Sequence, residues 1–256
     1  MRPQIGSARA IAAPLILGVG ALLIWQLAVI ALDIKPFVLP SPVSIFTQFI
    51  DNIPTVWAAS VVTGTNALVG LIVGGIVGVI SAVIAALLPI IDELSAGLVA
   101  ALSVIPIVAL APVLYTMFSA SAETARQIVA AIAVFVPVYL NSLRGLRQVR
   151  PVHRDLMRAT AATPWQATRV VTLPTATPFV FTGLRIASSL AVISALIAEY
   201  FGGPVGGLGK SITSAASSSN YALAWAYVLG SIILGLLFYT ATLALEKLAS
   251  RHRPSA

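Results

Sequence analysis

The sequence predicts an all-α membrane protein with about six transmembrane helices, and three observations carry that prediction. Of 256 residues, 59% are hydrophobic and only 9% are charged, whereas soluble domains carry roughly 25% charge. Several stretches approach the ~20 apolar residues that a helix needs to cross a hydrocarbon core. Those stretches lack the strict alternation of barrel strands, and a backbone in lipid must then satisfy its own donors and acceptors as helix. The mean hydropathy of +0.99 agrees. With no cysteine in the chain, disulfides, thiolate metal sites and cysteine nucleophiles are excluded.

Taken in order, the spans are expected at Ala12–Ala31, Val61–Leu88, Leu94–Phe118, Ile128–Leu146, Thr175–Ala198 and Tyr221–Leu245. The first is too long for a signal-peptide core, and no A-x-A cleavage site follows it, so it is kept as a span. The second carries Gly64, Gly70, Gly74, Gly75 and Gly78, with small-xxx-small spacings at 70–74 and 74–78. Close helix packing is the plain reading of that pattern, with gating as the alternative. The third contains Pro106 and Pro112, each of which removes a backbone bond and bends a helix. These boundaries divide the chain into an N-terminal span and outer linker (1–54), a membrane core (55–247) with a polar loop at 151–174, and a tail (248–256).

Charge orients the bundle. With the N-terminus inside, Arg2, Arg9, Arg144, Arg147, Arg150, Arg154, Arg158, Arg169, Lys247, Arg251 and Arg253 are cytoplasmic, eleven of the fifteen Lys and Arg. Lys35, Arg126 and Lys210 fall outside, and Arg185 lies at the edge of the fifth span. Both termini are therefore expected in the cytoplasm. The pI near 10.3 follows from this topology, and nucleic acid is not an expected partner.

Several features resemble sites and fail on inspection. Gly207-Leu208-Gly209-Lys210-Ser211 suggests a phosphate-binding loop, but Pro204 stands where the first glycine belongs and no strand precedes it. A glycine-rich re-entrant turn on the outer side is the better reading. His153 and His252 lack metal-ligand spacing, Asp92 and Glu93 fall in a loop, and Glu246 sits at a helix end. Glu199 alone lies near membrane depth. It is either an interfacial carboxylate or a gate or subunit contact. Arg185, Ser188, Val192, Ala195 and Glu199 recur every three or four residues and share one helical face. Lipid contact is costly for Arg and Glu, so this face is expected to turn toward a subunit interface or a water-filled cavity as a pathway or gate. The alternative is that its hydroxyls bond to carbonyls one turn earlier.

The polar, basic island Asp155–Pro174 interrupts this apolar chain, and six of the fifteen Lys and Arg lie between Arg144 and Arg169. Two helical pieces fit it, roughly Val152–Ala162 and Pro164–Thr172. Thr163 is a favoured N-cap, Pro164 a favoured first residue, and Thr163 with Gln166 has capping-box spacing. Such a loop suits docking of a soluble partner; lying on lipid headgroups is the alternative.

The island resembles the cytoplasmic loop of ABC importer permease subunits. Asp155-Leu156-Met157 occupies that loop's acidic-Ala-Ala position, Ala161 its glycine, Val171 its isoleucine, and Leu173-Pro174 its Leu-Pro. Leu39-Pro40-Ser41-Pro42, Ile105-Pro106, Ala111-Pro112, Trp165-Gln166, Thr182-Gly183-Leu184-Arg185, Ala198-Glu199 and Gly207-Leu208-Gly209 extend the likeness to the nitrate/sulfonate/taurine-type permeases. The chain departs from that family at Asp155 (usually Glu), Ala161 (usually Gly) and Asn66 (often Arg).

The resemblance implies the fold of a type I ABC importer permease in a bacterial inner membrane, with no enzymatic activity of its own. It implies two ATPase subunits, which hold ATP and Mg, so that this chain binds no cofactor. It further implies a second permease subunit, the same or a related chain, and an external or lipid-anchored solute-binding protein, all in contact with membrane lipid. Asp155, Arg158, Ala161, Thr163, Trp165, Leu173 and Pro174 would couple the permease to the ATPase. The solute would be a sulfonate, nitrate or a vitamin-like molecule. A secondary carrier or channel, or a scaffold whose basic loop binds lipid, are the competing functions; the first requires polar pathway residues, which are few here.

Overall fold

A computed structural model describes residues 7–119, 123–202 and 206–250, and all elements among them are helical. Arg2, Pro204, Arg251, His252 and Arg253 lie outside the described residues. Eleven α-helices follow in order: α1 Ser7–Ala31, α2 Pro42–Asp51, α3 Ile53–Leu87, α4 Pro89–Val104, α5 Ile107–Phe118, α6 Thr124–Arg147, α7 Pro151–Ala159, α8 Pro164–Ala167, α9 Leu173–Phe201, α10 Leu208–Ser217 and α11 Tyr221–Ser250. A π-turn over Thr168–Thr172 joins α8 to α9.

Five helices are long and apolar enough to cross a membrane, and a sixth crossing is broken. The expected third span is not one helix. It divides at Ile105-Pro106 into α4 and α5, and the two arms are bent by 102°. Pro106 supplies no amide hydrogen and ends α4, whereas Pro112 is accommodated inside α5. The pair still carries the chain across. Asp92 near the start of α4 is 2.6 Å from Arg147 at the end of α6, while Tyr115 near the end of α5 meets Arg126 near the start of α6. Asp92 and Glu93, expected in a loop, belong to α4.

The core is built where small residues let backbones meet. A Cβ on Gly70 or Gly74 would collide with Ala130 and Ala131 of α6, and one on Gly78 would lie 3.1 Å from the Phe135 carbonyl oxygen. The pairs advance together along both chains, so α3 and α6 run parallel. Helix packing, the plain reading of these glycines, is what they do. On the other side of α6, Gly145 meets Ala176 and Phe179, while Gly183 meets Asn141 and Val138; α9 therefore runs antiparallel to α6. Ala67, Val134, Val138, Ala187 and Ala195 fill the centre of this three-helix sandwich.

Helix α1 lies outside it and touches α11 through Trp25 and Trp225, an edge-on pair with ring centroids 5.7 Å apart. The late residue of α1 thus meets an early residue of α11, and the two helices are antiparallel. The start of α1, the end of α11 and the polar loop all lie at one face of the bundle. Two short helices, α2 and α10, were not expected. Ser41 caps α2 by accepting from the Ser44 amide at 3.2 Å, with Pro42 at its first position. Helix α3, 35 residues long, spans about 52 Å and outruns the ~30 Å hydrocarbon layer.

Candidate functional site

The polar loop stands clear of the bundle. No residue of α7 or α8 is buried. Two local devices fix its shape. Helix α7 ends in a Schellman motif: the Ala162 amide donates to the Met157 carbonyl at 2.9 Å, and the Ala161 amide donates to the Arg158 carbonyl at 3.0 Å. This motif requires a left-handed residue after the C-cap, and Ala161 adopts φ 50°. Glycine reaches that conformation without the Cβ clash that costs alanine about 1 kcal/mol. The turn keeps its geometry although the side chain opposes it.

Two residues later α8 begins with the capping box that the spacing of Thr163 and Gln166 suggests. The Gln166 amide donates to Thr163 Oγ1 at 3.3 Å, and the Thr163 amide donates to Gln166 Oε1 at 2.8 Å. From Pro164 the chain stays helical to Phe201, through the π-turn and without a break. The loop is therefore the first part of a membrane-crossing helix.

The exposed surface of the loop mixes apolar and basic groups. Val152, Leu156, Trp165, Val170 and Leu173 are all exposed, and Arg150, Arg154, Arg158 and Arg169 lie among them. Asp155 and Arg158 face one another at 3.7 Å, an exposed pair that stabilises little. A groove of about 370 Å3 runs between α7 and the π-turn, lined by His153, Leu156, Met157, Val170, Val171 and Pro174. Exposed Trp and Arg around a shallow apolar groove is the composition of protein-binding hot spots. Asp155, Arg158, Ala161, Thr163, Trp165, Leu173 and Pro174 are all exposed on this loop.

The face predicted to line a pathway is placed differently. Ser188, Val192, Ala195 and Glu199 are each no more than 2% exposed within this single chain, so within it they pack against neighbouring helices. The cause is packing: α9 presents small residues on this side, and α3, α6 and α11 close over them. Ser188 donates to the Arg185 carbonyl at 2.7 Å and meets the Thr242 hydroxyl of α11 at 3.2 Å. Arg185 donates to Glu246 Oε2 of α11 at 3.0 Å.

Glu199 anchors the opposite end of α9. Thr63 of α3 donates to its carboxylate at 2.9 Å, the Gly209 amide donates to it at 2.8 Å, and the Leu208 amide donates to Thr63 Oγ1 at 2.8 Å. Arg126 of α6 lies 4.0 Å from Glu199 Oε1, with both side chains fully buried, and its Nε donates to the Tyr115 hydroxyl of α5 at 3.3 Å. The carboxylate thus accepts directly from the Gly209 amide and reaches the Leu208 amide through Thr63, at a helix terminus that favours negative charge. Gly207, at φ 93°, precedes α10; a Cβ there would lie 2.6 Å from the carboxylate. The glycine-rich turn is thereby explained as the seat of Glu199. Sequence reading missed Thr63, Tyr115, Arg126 and Glu246 as partners. Arg126 was expected in an outer loop and is instead inside α6. The signal was available: a buried arginine near a membrane boundary requires a nearby acid.

Comparison with known proteins bears on both regions. A model of the family described as binding-protein-dependent transport system inner membrane component matches residues 74–251. The chain is 32% identical to the riboflavin transport system permease protein of Chloroflexus aurantiacus, over 91% of this chain and 87% of that protein. It is 31% identical to the putative aliphatic sulfonates transport permease protein of Escherichia coli, over 73% of this chain and 72% of that one. Its fold is similar to that in the crystal structure of an amino acid ABC transporter with histidines, with a TM-score of 0.62 at 17% identity, covering 81% of this chain and 98% of the other.

Proposed function

We propose, from the premise that the chain belongs to the family of binding-protein-dependent transport system inner membrane components, how this permease is driven. As a member of that family it is a multi-pass inner-membrane subunit of an ABC importer with no enzymatic role, working with an ATPase and a solute-binding protein. In the finer reading, two copies of this chain, or this chain and a related one, pair in the membrane and two ATPase subunits dock below. ATP and Mg sit on the ATPases and none on this chain. The basic face lies in the cytoplasm and carries the docking loop.

The single observation that carries the coupling is the unbroken helical run from Pro164 to Phe201. A partner that grips Asp155, Arg158, Trp165 and the groove beside Leu173-Pro174 pulls on a helix that spans the membrane. The capping box at Thr163 and the turn at Ala161 hold the gripped pieces at a fixed angle. The π-turn between α8 and α9 is the joint at which the gripped unit turns against the membrane helix, since such insertions bend helices and recur at functional positions.

The solute route is assigned to the other side of α9. There Ser189, Ile193 and Leu196, with Val192 at the boundary between the two sides, border a cleft of about 520 Å3 shared with Ser231, Gly235 and Tyr239 of α11. A Cβ at Gly235 would meet nothing within 4 Å, so this glycine opens space and packs no neighbour. Hydroxyls beside open space in an apolar wall support a route for a polar solute or a facing copy. The riboflavin assignment of the Chloroflexus relative favours a vitamin-like solute, and a sulfonate is the next reading.

The test is Asp155→Lys in the complex reconstituted with its ATPase and binding protein. Reversal of a partly buried charge-assisted contact removes about 2 kcal/mol or more. Solute-stimulated ATP hydrolysis is expected to disappear while the permease stays folded in detergent. Unchanged uptake and ATPase stimulation would remove the loop from the coupling path.

A further inference from the structure

Helices α9 and α11 are apolar along most of their shared length, with Leu234 and Phe238 packed against Ala187, Ala191 and Val192. At the end nearest the docking loop this changes. Arg185 donates to Glu246 at 3.0 Å, and one turn further along, the Ser188 and Thr242 hydroxyls meet at 3.2 Å. The two contacts form a ladder, since the α9 number rises by three as the α11 number falls by four. Both ions of the pair are largely withdrawn from solvent, with side-chain exposures of 28% and 19%.

A half-buried ion pair adds little net stability over apolar packing, because desolvation offsets the attraction. It does fix register. Sliding α11 past α9 by one turn would part Arg185 from Glu246 and Ser188 from Thr242; the charged rung sets the cost, since both hydroxyls also donate to carbonyls of their own helices. An apolar interface of similar area would allow such a shift at lower cost. The ladder also lies on α9 itself, the helix that continues into the docking loop, whereas α11 follows α9 along the chain through α10 and has no helical continuation into that loop.

We propose that the Arg185–Glu246 and Ser188–Thr242 ladder is a transmission clamp, which makes α11 travel with α9 when the docking loop moves. Arg185 and Glu246 are positioning residues that act through the two helices and do not touch solute. The proposal rests on the coupling reading above. It assigns a role to Glu246 and Thr242, and it gives Arg185 a different task from lining a pathway.

Two experiments test it. The first compares Arg185→Glu, Glu246→Arg and the double reversal in the complex reconstituted with ATPase and binding protein. Each single reversal is expected to lower solute transported per ATP hydrolysed about tenfold, a coupling loss within the usual range. ATPase co-purification should persist, and the double reversal should recover most of the loss. A double reversal as uncoupled as the singles would overturn the clamp, and so would singles that transport normally. If instead the single reversals only reduce the yield of folded permease and the folded remainder couples fully, the pair is structural and the proposal fails. The second experiment does not depend on their folding. Ser188→Cys with Thr242→Cys in this cysteine-free chain joins α9 to α11 on oxidation. If the helices travel together, oxidised transporter keeps its transport rate; a loss that reductant reverses would show that they slide and would overturn the clamp. Asp155→Lys separates the levels: if it uncouples and the Arg185 reversals do not, the clamp alone fails, and if it does not uncouple, the coupling reading fails first.

Discussion

The two ends of α9 are held in opposite ways. At the outer end, Glu199 is fully buried and is engaged from α3 and α10, with Arg126 of α6 at 4.0 Å. At the cytoplasmic end, α7 and α8 bury nothing, expose Trp165 and Leu156, and hold Ala161 in a conformation that favours glycine. The chain completes the first region by itself. The second is fixed in shape by local bonds and left open in surface, which is the condition of a segment that awaits a partner. The difference separates polar residues that the fold itself engages from those it leaves exposed.

The comparison breaks most visibly at Glu199. Replacing it by alanine leaves the Gly209 amide and the Thr63 hydroxyl without the carboxylate they donate to and removes the facing charge from Arg126, and removing one partner of a buried pair costs about 3–5 kcal/mol. Glu199→Ala is therefore expected to lower the thermal midpoint sharply in detergent, read by fluorescence-detected size exclusion after heating. Asp155→Ala, at the open end, should leave that midpoint unchanged.

The middle of α9 sharpens the contrast. Ala195 faces the packed side, so Ala195→Phe should overfill it at a cost of about 1–3 kcal/mol and reduce folded yield. Ser189→Phe, on the cleft side, should preserve the thermal midpoint and reduce uptake. Equal loss of folded protein in both would place the cleft inside the structural core.

Smaller effects are expected within the loop. Thr163→Ala removes one half of the capping box, worth about 1 kcal/mol, and should weaken ATPase binding several-fold in a titration without altering the membrane core. Ala161→Gly relieves the left-handed strain by at most about 1 kcal/mol. It should tighten that binding or leave it unchanged; weaker binding would mean that the alanine is needed for rigidity.

What the sequence could reveal followed from distance along the chain. The box at Thr163 and Gln166 was legible because three residues carry it, and the six crossings were legible because each is a local run of apolar residues. Helices α2 and α10 were not, being short, half polar and below the length at which hydropathy speaks. The bend at Pro106 was expected and its size was not, since proline removes a bond without setting the angle that follows. For Ser188, Val192, Ala195 and Glu199, spacing grouped residues that are all buried in the structure. It could not tell which way the face turned, because small residues suit both a cavity wall and a close helix contact. Thr63 and Glu199 lie 136 residues apart, and no local pattern joins them.

The central claim is that the loop at residues 151–174 is completed by the ATPase and the seat of Glu199 is not. Amide hydrogen exchange on the permease alone and on the assembled transporter measures this directly. The account predicts that amides of α7 and α8 exchange readily in the isolated chain and slow by about tenfold or more on assembly, while those of Leu208 and Gly209 are protected equally in both. Unchanged exchange across the loop, or protection gained at Leu208 and Gly209 instead, would contradict it.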